Sequence, residues 1–305
     1  MPRAPHARDW FYLAALTALW GSAFALNEFA LRSFPPSVIV AGRILTGTLI
    51  LSLVMYAQGI RLPRSAGAWL PMVILAIFAN LLPFQLIAWA QQFIESSLAG
   101  VLMAVMPLFV MTLSHFYIPG ARLTRYRVAG FAVGFTGVVF VIGPEVLSGL
   151  GDNRALWGAI ATLGAAMSYS ASSVYARRIR ASEPMQMSVG MLLAASILAL
   201  PLGGADLSAV TTPTLGSVVA LLVLGALSTG LATVIYFRLV QGPGPTFISF
   251  VNYLVPAWAV VAGAVFLDES LSSAAYIGLA LILIGIAFSE LGPRLRRFVT
   301  SYSAA

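Results

Sequence analysis

Two charged side chains, Glu28 and Arg43, sit well inside apolar runs of a 305-residue chain in which only 9% of residues are charged. An ionised group in such surroundings costs at least a few kcal/mol if unpaired, so it is either paired or functional. Glu28 could take up a proton or a cation, or face the amine of a bound solute. It could equally pair with Arg43. Glu28 stands shortly before the end of the first run and Arg43 shortly into the second, and at about 1.5 Å per helical residue the two lie within about one turn of the same depth. Arg32 follows Glu28 by one turn.

Amides and aromatics form a second group. Asn80 and Gln85 flank Pro83, with Trp89 one turn beyond Gln85. Asn252 and Tyr253 precede Pro256, and Pro107 holds the matching place in another run. A proline removes a backbone donor and frees a carbonyl, so these amides either repair a helix at Pro83, Pro107 and Pro256 or line a cavity beside it. Trp20, Trp89 and Tyr169 lie deep enough that an indole or phenol needs a partner, and they could stack on a ring or a cation. Trp10, Phe11, Tyr12, Trp69, Tyr126 and Tyr276 fall near the ends of runs and read as interfacial anchors.

Composition narrows the chemistry further. There is no cysteine, which removes disulfides and thiolate chemistry. There is no lysine, which removes a P-loop and a Schiff base. Two histidines, His6 and His115, are too few for a histidine-built metal site. No cofactor is implied.

These residues must be positioned by membrane-spanning helices. With 60% hydrophobic residues and a mean hydropathy of +0.93, the chain is far from a soluble composition, which carries roughly 25% charge. Ten apolar segments near the ~20 residues of a spanning helix lie at about 10–31, 36–57, 68–91, 96–117, 125–143, 155–176, 185–203, 214–238, 245–267 and 273–291. Ten spans put both termini on one side. That side then receives fourteen of the seventeen arginines, Arg32 and Arg154 fall on the other, and Arg43 lies within a span. By the positive-inside rule the tails 1–9 and 292–305 are cytoplasmic. The net charge of +7 is thus topology, and no nucleic-acid partner is expected.

The chain also repeats itself. The plan from Glu95 to Gly143 recurs near the C-terminus: Pro107 answers to Pro256, Leu123 to Leu271, Gly130 to Gly278 and Gly137 to Gly285. Five spans per half is odd, so the second half enters the membrane inverted. The arginine-rich joint at Gly120–Arg127 and the acidic joint at Asp268-Glu269 then face opposite sides. The expected fold is an all-α membrane protein of ten transmembrane helices in two inverted-topology five-helix repeats, 10–143 and 155–291. That plan serves alternating access in secondary transporters.

Several stretches resemble the drug/metabolite transporter superfamily, specifically its ten-helix EamA type. They are Trp20-Gly21-Ser22, the PPSVIVAGR ending at Arg43, AWAQQFIESSLAGVLMAVMPLF, TGLATVIYFRLVQGPGPTFISFVNYLVP and LDESL, so the likeness covers about 10–291. It implies a secondary transporter, an exporter of small metabolites such as amino acids or related amphipathic compounds and drugs. The partners it implies are a small-molecule substrate and membrane lipids, with protons as a candidate coupling ion at Glu28 and a bacterial inner membrane as location. It implies a cavity walled by spans that here hold Trp20, Gln85, Trp89, Met103, Tyr169, Ser228 and Asn252. Two departures stand out. Asn27-Glu28 occupies a place where many relatives carry lysine, and the first joint lacks the glutamate that the second keeps as Glu269, which suggests that Glu269 caps or orients a helix. A lipid-modifying enzyme would need a cluster of titratable groups, and a channel a selectivity ring. Neither pattern is visible in the sequence.

Overall fold

The computed structural model describes residues 3–121, 123–143, 153–179, 183–210 and 212–302, without the side chains at 153, 245, 246 and 290–302. Of the loop charges, Arg122, Arg180, Glu145 and Asp152 lie outside the described residues.

The described chain is helical, with no strand in it. The rods are α1 (Ala7–Leu31), α2 (Pro36–Ala57), α3 (Ala66–Ala90), α4 (Ser96–Tyr117), α5 (Arg125–Ile142), α6 (Asn153–Arg178), α7 (Pro184–Ala205), α8 (Leu215–Gln241), α9 (Val251–Leu267) and α10 (Ser273–Tyr302). Seven described helices, α1 to α5, α7 and α8, are long and apolar enough to cross a membrane. α9 and the Ser273–Ser289 part of α10 are shorter apolar helices. The 26-residue α6 is long enough but less apolar, because it is rich in alanine, serine and glycine. Its hydroxyls turn inward: Thr162 donates to the Gly158 carbonyl at 3.0 Å, Ser168 to Phe78 on α3 at 2.8 Å, and Ser170 to Ala166 at 2.7 Å and Met106 on α4 at 3.1 Å. A helix packed between others can carry such groups because its backbone and its neighbours satisfy them.

Local sequence sets the ends. Pro36 and Pro184 each open a helix where a missing N–H costs nothing. Thr124 and Thr214 accept from the amides of Arg127 and Ser217 at the starts of α5 and α8. Asp268 ends α9 in the left-handed conformation at φ 56°. The ninth expected segment is split: Pro245–Ile248 forms one helical turn, and the amides of Phe250, Asn252 and Tyr253 reach carbonyls three residues back across the start of α9.

Breaks mark the interior. Ile77–Leu81 of α3 and Leu224–Leu231 of α8 are wide π turns. Pro83 explains the first, since it cannot return a bond to the carbonyl four residues back. In α8, which has no proline there, Thr229 Oγ1 donates 3.0 Å to the Leu224 carbonyl. α4 is interrupted at Ala104–Val105, just before Pro107, whereas Pro256 lies inside an unbroken α9.

Packing pairs α5 with α10 and α2 with α7; α1 lies on α8 and α9, and α6 on α3 and α4; α8 lies on α2, and α3 on α7. Glycine brings α5 and α10 into backbone contact. A Cβ on Gly137 would stand 2.6 Å from the Gly278 carbonyl oxygen, and one on Gly278 2.5 Å from that of Gly137. The largest buried cluster, around Leu102, Leu108, Ala165 and Ile282, joins α4, α6 and α10.

Candidate functional site

The interior polar residues fall into three places. The first is where the end of α1 meets the joint between α9 and α10. Glu28 has a buried carboxylate oxygen with no hydrogen-bond partner, and the charges that act on it are Glu269 and Arg32. Glu95, just before α4, also feels Glu269; burial first, then that charge, push its carboxyl above the usual carboxylate range. Glu269 itself is held by the start of α4. The amides of Ser96 and Ser97 donate to it at 2.8 and 2.9 Å, the Ser96 hydroxyl donates at 3.0 Å, and the Ser97 hydroxyl donates to it as well. Free amides at a helix start favour an anion. Beside Glu28, Asn27 donates 2.9 Å to the Gln91 side chain, whose amide donates 2.9 Å to the Phe24 carbonyl.

The second place is the middle of the helix assembly. Arg43 Nε donates 2.9 Å to Thr229 Oγ1, and its guanidinium lies 3.8 Å over the Phe84 ring. The Tyr169 ring is 6.5 Å from that of Phe84, and its hydroxyl lies within the electrostatic reach of Arg43. Asn80 Nδ2 and Ser228 Oγ are buried without a partner, one in each π turn, and Gln85 Oε1 is likewise unpartnered beside Phe84. Met103, Tyr169 and Tyr253 pack against one buried cluster.

The third place lies along α1. Trp20 packs 5.8 Å from Tyr236 of α8. Trp258 of α9 donates 2.9 Å to the Ser22 hydroxyl, and Gly21 leaves room for that indole, since a Cβ there would stand 2.6 Å from Trp258 Cδ1.

The pairing expected between Glu28 and Arg43 is therefore absent. Among the described residues the one ion pair is Arg3 with Asp9, and Arg43 spends its Nε on Thr229 instead. The two lie within about one turn of the same depth in sequence terms, but Arg43 points between α3 and α8 while Glu28 faces the joint. Trp89 and Asn252, expected beside the cavity, are exposed on the isolated chain, with Trp89 edge-on to Phe93 at 4.9 Å. Reading from sequence missed Thr229, Gln91 and Trp258. Gln91 alone carried a signal, as an amide close to Trp89 at the end of a span.

Comparison with known proteins places this arrangement. The EamA-like transporter family matches the chain twice, at residues 9–143 and 156–291. The uncharacterized transporter YoaV of Bacillus subtilis (strain 168) is 25% identical over 276 residues, covering 90% of this chain and 94% of that protein. The uncharacterized inner membrane transporter YedA of Escherichia coli (strain K12) is 26% identical over 287 residues, covering 92% and 90%. A protein of Salmonella typhimurium (strain LT2) named "Probable amino-acid metabolite efflux pump" is 24% identical over 304 residues, covering 95% and 97%. A crystal structure 23% identical in sequence superposes with a TM-score of 0.67 over 95% of this chain and 99% of that one, which establishes a shared fold. Matched in both halves by one family and along nearly its whole length by named transporters, this multi-pass membrane protein belongs to the EamA-like transporter family.

Proposed function

We propose that the protein is a secondary active exporter of small metabolites, amino acids or related amphipathic compounds and drugs. It works by alternating access around a midplane cavity between two inverted five-helix repeats, 10–143 and 155–291. In this reading α6, α9 and α10 complete ten spans, both termini are cytoplasmic, and the protein resides in the inner membrane. The observation that carries the reading is the pair Asn80 and Ser228. They lie 148 residues apart, within one residue of corresponding places in the two halves. Each sits in a π turn, and each keeps a buried polar atom without a protein partner. Such groups in a membrane interior mark a solute or ion path.

The inverted plan has further support. Exchanging the halves, α1 for α6, α2 for α7 and so on, maps the most extensive helix pairings onto themselves. Thr48 and Ser196, again 148 residues apart, share a 2.9 Å hydrogen bond, as residues on a two-fold axis do. Efflux as the direction rests on the name of the Salmonella relative, and the inner membrane on that of YedA. The test is counterflow in sealed proteoliposomes with labelled amino acids and amines: saturable exchange is expected, and linear, non-saturating flux would point to a channel and overturn the reading.

A further inference from the structure

The Arg43 guanidinium is held as a receptor is held. Its Nε edge is taken by Thr229 Oγ1, and that hydroxyl in turn donates a hydrogen bond to the Leu224 carbonyl within the π turn. One face lies on the Phe84 ring at 3.8 Å. Position and plane are thus fixed by α8 and α3. Arg43 makes no other hydrogen bond among the described residues, and no described carboxylate lies within ion-pair distance. The two terminal nitrogens, with four N–H groups in a planar fork, carry no protein acceptor among those residues.

An arginine stays charged under all ordinary conditions, and a cation inside a membrane without a counter-charge is costly. We propose that the counter-charge is the substrate, and that Arg43 receives its carboxylate group. This inference rests on the transporter reading above and gives it a chemical class: monocarboxylates, amino-acid zwitterions among them. The fork matches the two oxygens of a carboxylate. One cation balances one monoanion, whereas a phosphate dianion would leave a charge uncompensated. The second half holds Met191 at the place equivalent to Arg43, 148 residues on, so the site has one cation and is not duplicated. Asn80 Nδ2 is a second buried donor without a partner, one turn before Phe84 on the helix that carries the guanidinium's ring contact.

The competing account is that Arg43 is a strut between α2, α3 and α8. The two differ in selectivity. The test is counterflow in proteoliposomes with matched probes: leucine and phenylalanine, their amides, the decarboxylated amines isoamylamine and phenethylamine, and 4-methylpentanoate. The unmodified protein should exchange the acids at least tenfold better than the amides and amines. Arg43→Gln, checked as monodisperse and folded, should lose that preference, and Arg43→Lys should keep part of it. Equal exchange of acids and amides by the unmodified protein, or an unchanged acid preference in folded Arg43→Gln, overturns the inference. If amines alone exchange, Arg43 is a strut while the transporter reading stands. If nothing exchanges, the amphipathic-metabolite reading fails together with it. Should Arg43→Gln not fold, the acid-to-amide ratio of the unmodified protein decides alone.

Discussion

Ser97 meets Glu269 twice, through its amide at 2.9 Å and through its hydroxyl, across 172 residues of chain. Together with Ser96, this fastens the first turn of α4 to the joint after α9, so Glu269 caps a helix in the other half of the molecule. Gly263 makes the approach possible, since a Cβ there would strike both the Ser97 hydroxyl and the Glu269 carboxylate. Glu269→Ala strands two helix-start amides and should lower stability by about 2 kcal/mol, within the range for charge-assisted hydrogen bonds and caps. Glu269→Gln keeps one acceptor oxygen and should lose less. Melting temperatures in detergent decide it: an Ala variant as stable as Gln and the unmodified protein removes the cap from the account.

Glu95 supplies a prediction in pH. Burial and the neighbouring Glu269 hold its carboxyl above the ordinary value of 4.5. The folded state therefore holds the proton more firmly than the unfolded state. The stability linked to it is complete below the unfolded value and is lost as pH rises through the folded one. Glu95→Gln has no such loss. Glu95 is largely exposed and solvent screens the effect, so the variant should melt only slightly above the unmodified protein at about pH 7 to 8, with the difference closing as both are taken to about pH 4. A constant difference at every pH would mean that packing, not titration, sets it.

The backbone contact between α5 and α10 sets a third expectation. Gly137 faces the Gly278 carbonyl and the Ile282 backbone amide, and backbone atoms cannot yield as a flexible side chain can. Gly137→Leu should cost about 3 kcal/mol or more and sharply reduce the yield of folded protein. Gly67, in the first turn of α3, is the control, because nothing lies within 4 Å of where its Cβ would stand. Gly67→Ala should be neutral or slightly stabilising.

Sequence made part of this legible. The spacing of Gly130 and Gly137 against Gly278 and Gly285 announced the repeat, and the same glycines make the α5–α10 contact. Asn80 and Gln85 read as interior polar groups because each interrupts an apolar run beside Pro83, Ser228 came only with the family resemblance, and each retains an unpartnered atom. Arg43 was misplaced for a geometric reason. Depth along a helix follows from residue count, but the direction a side chain faces turns by about 100° per residue, and nothing local says which neighbour lies there. Thr229 was missed because a threonine in an apolar helix is common. Only the π turn, with no proline to announce it, gives its hydroxyl a carbonyl to serve and an arginine to hold.

Glu28 is the candidate for the coupled proton. Its buried oxygen has no partner, its surrounding charges are Glu269 and Arg32 rather than Arg43, and it adjoins the Asn27–Gln91 pair that ties α1 to the end of α3. A carboxylate in that setting is either a proton site or an acid left buried at a cost. Glu28→Gln preserves shape and removes only the titration, so the two roles separate. If Glu28 carries the coupled proton, the variant should still catalyse counterflow of a substrate at near-normal rate, yet lose accumulation driven by a pH gradient by tenfold or more. If Glu28 is scaffold, gradient-driven and exchange transport should change together, or not at all. Proteoliposomes loaded at one pH and diluted into another, with exchange measured in the same preparation, give both numbers from one sample. Gradient-driven accumulation that survives in Glu28→Gln would move the coupling site elsewhere, with Glu95 the next carboxylate to replace.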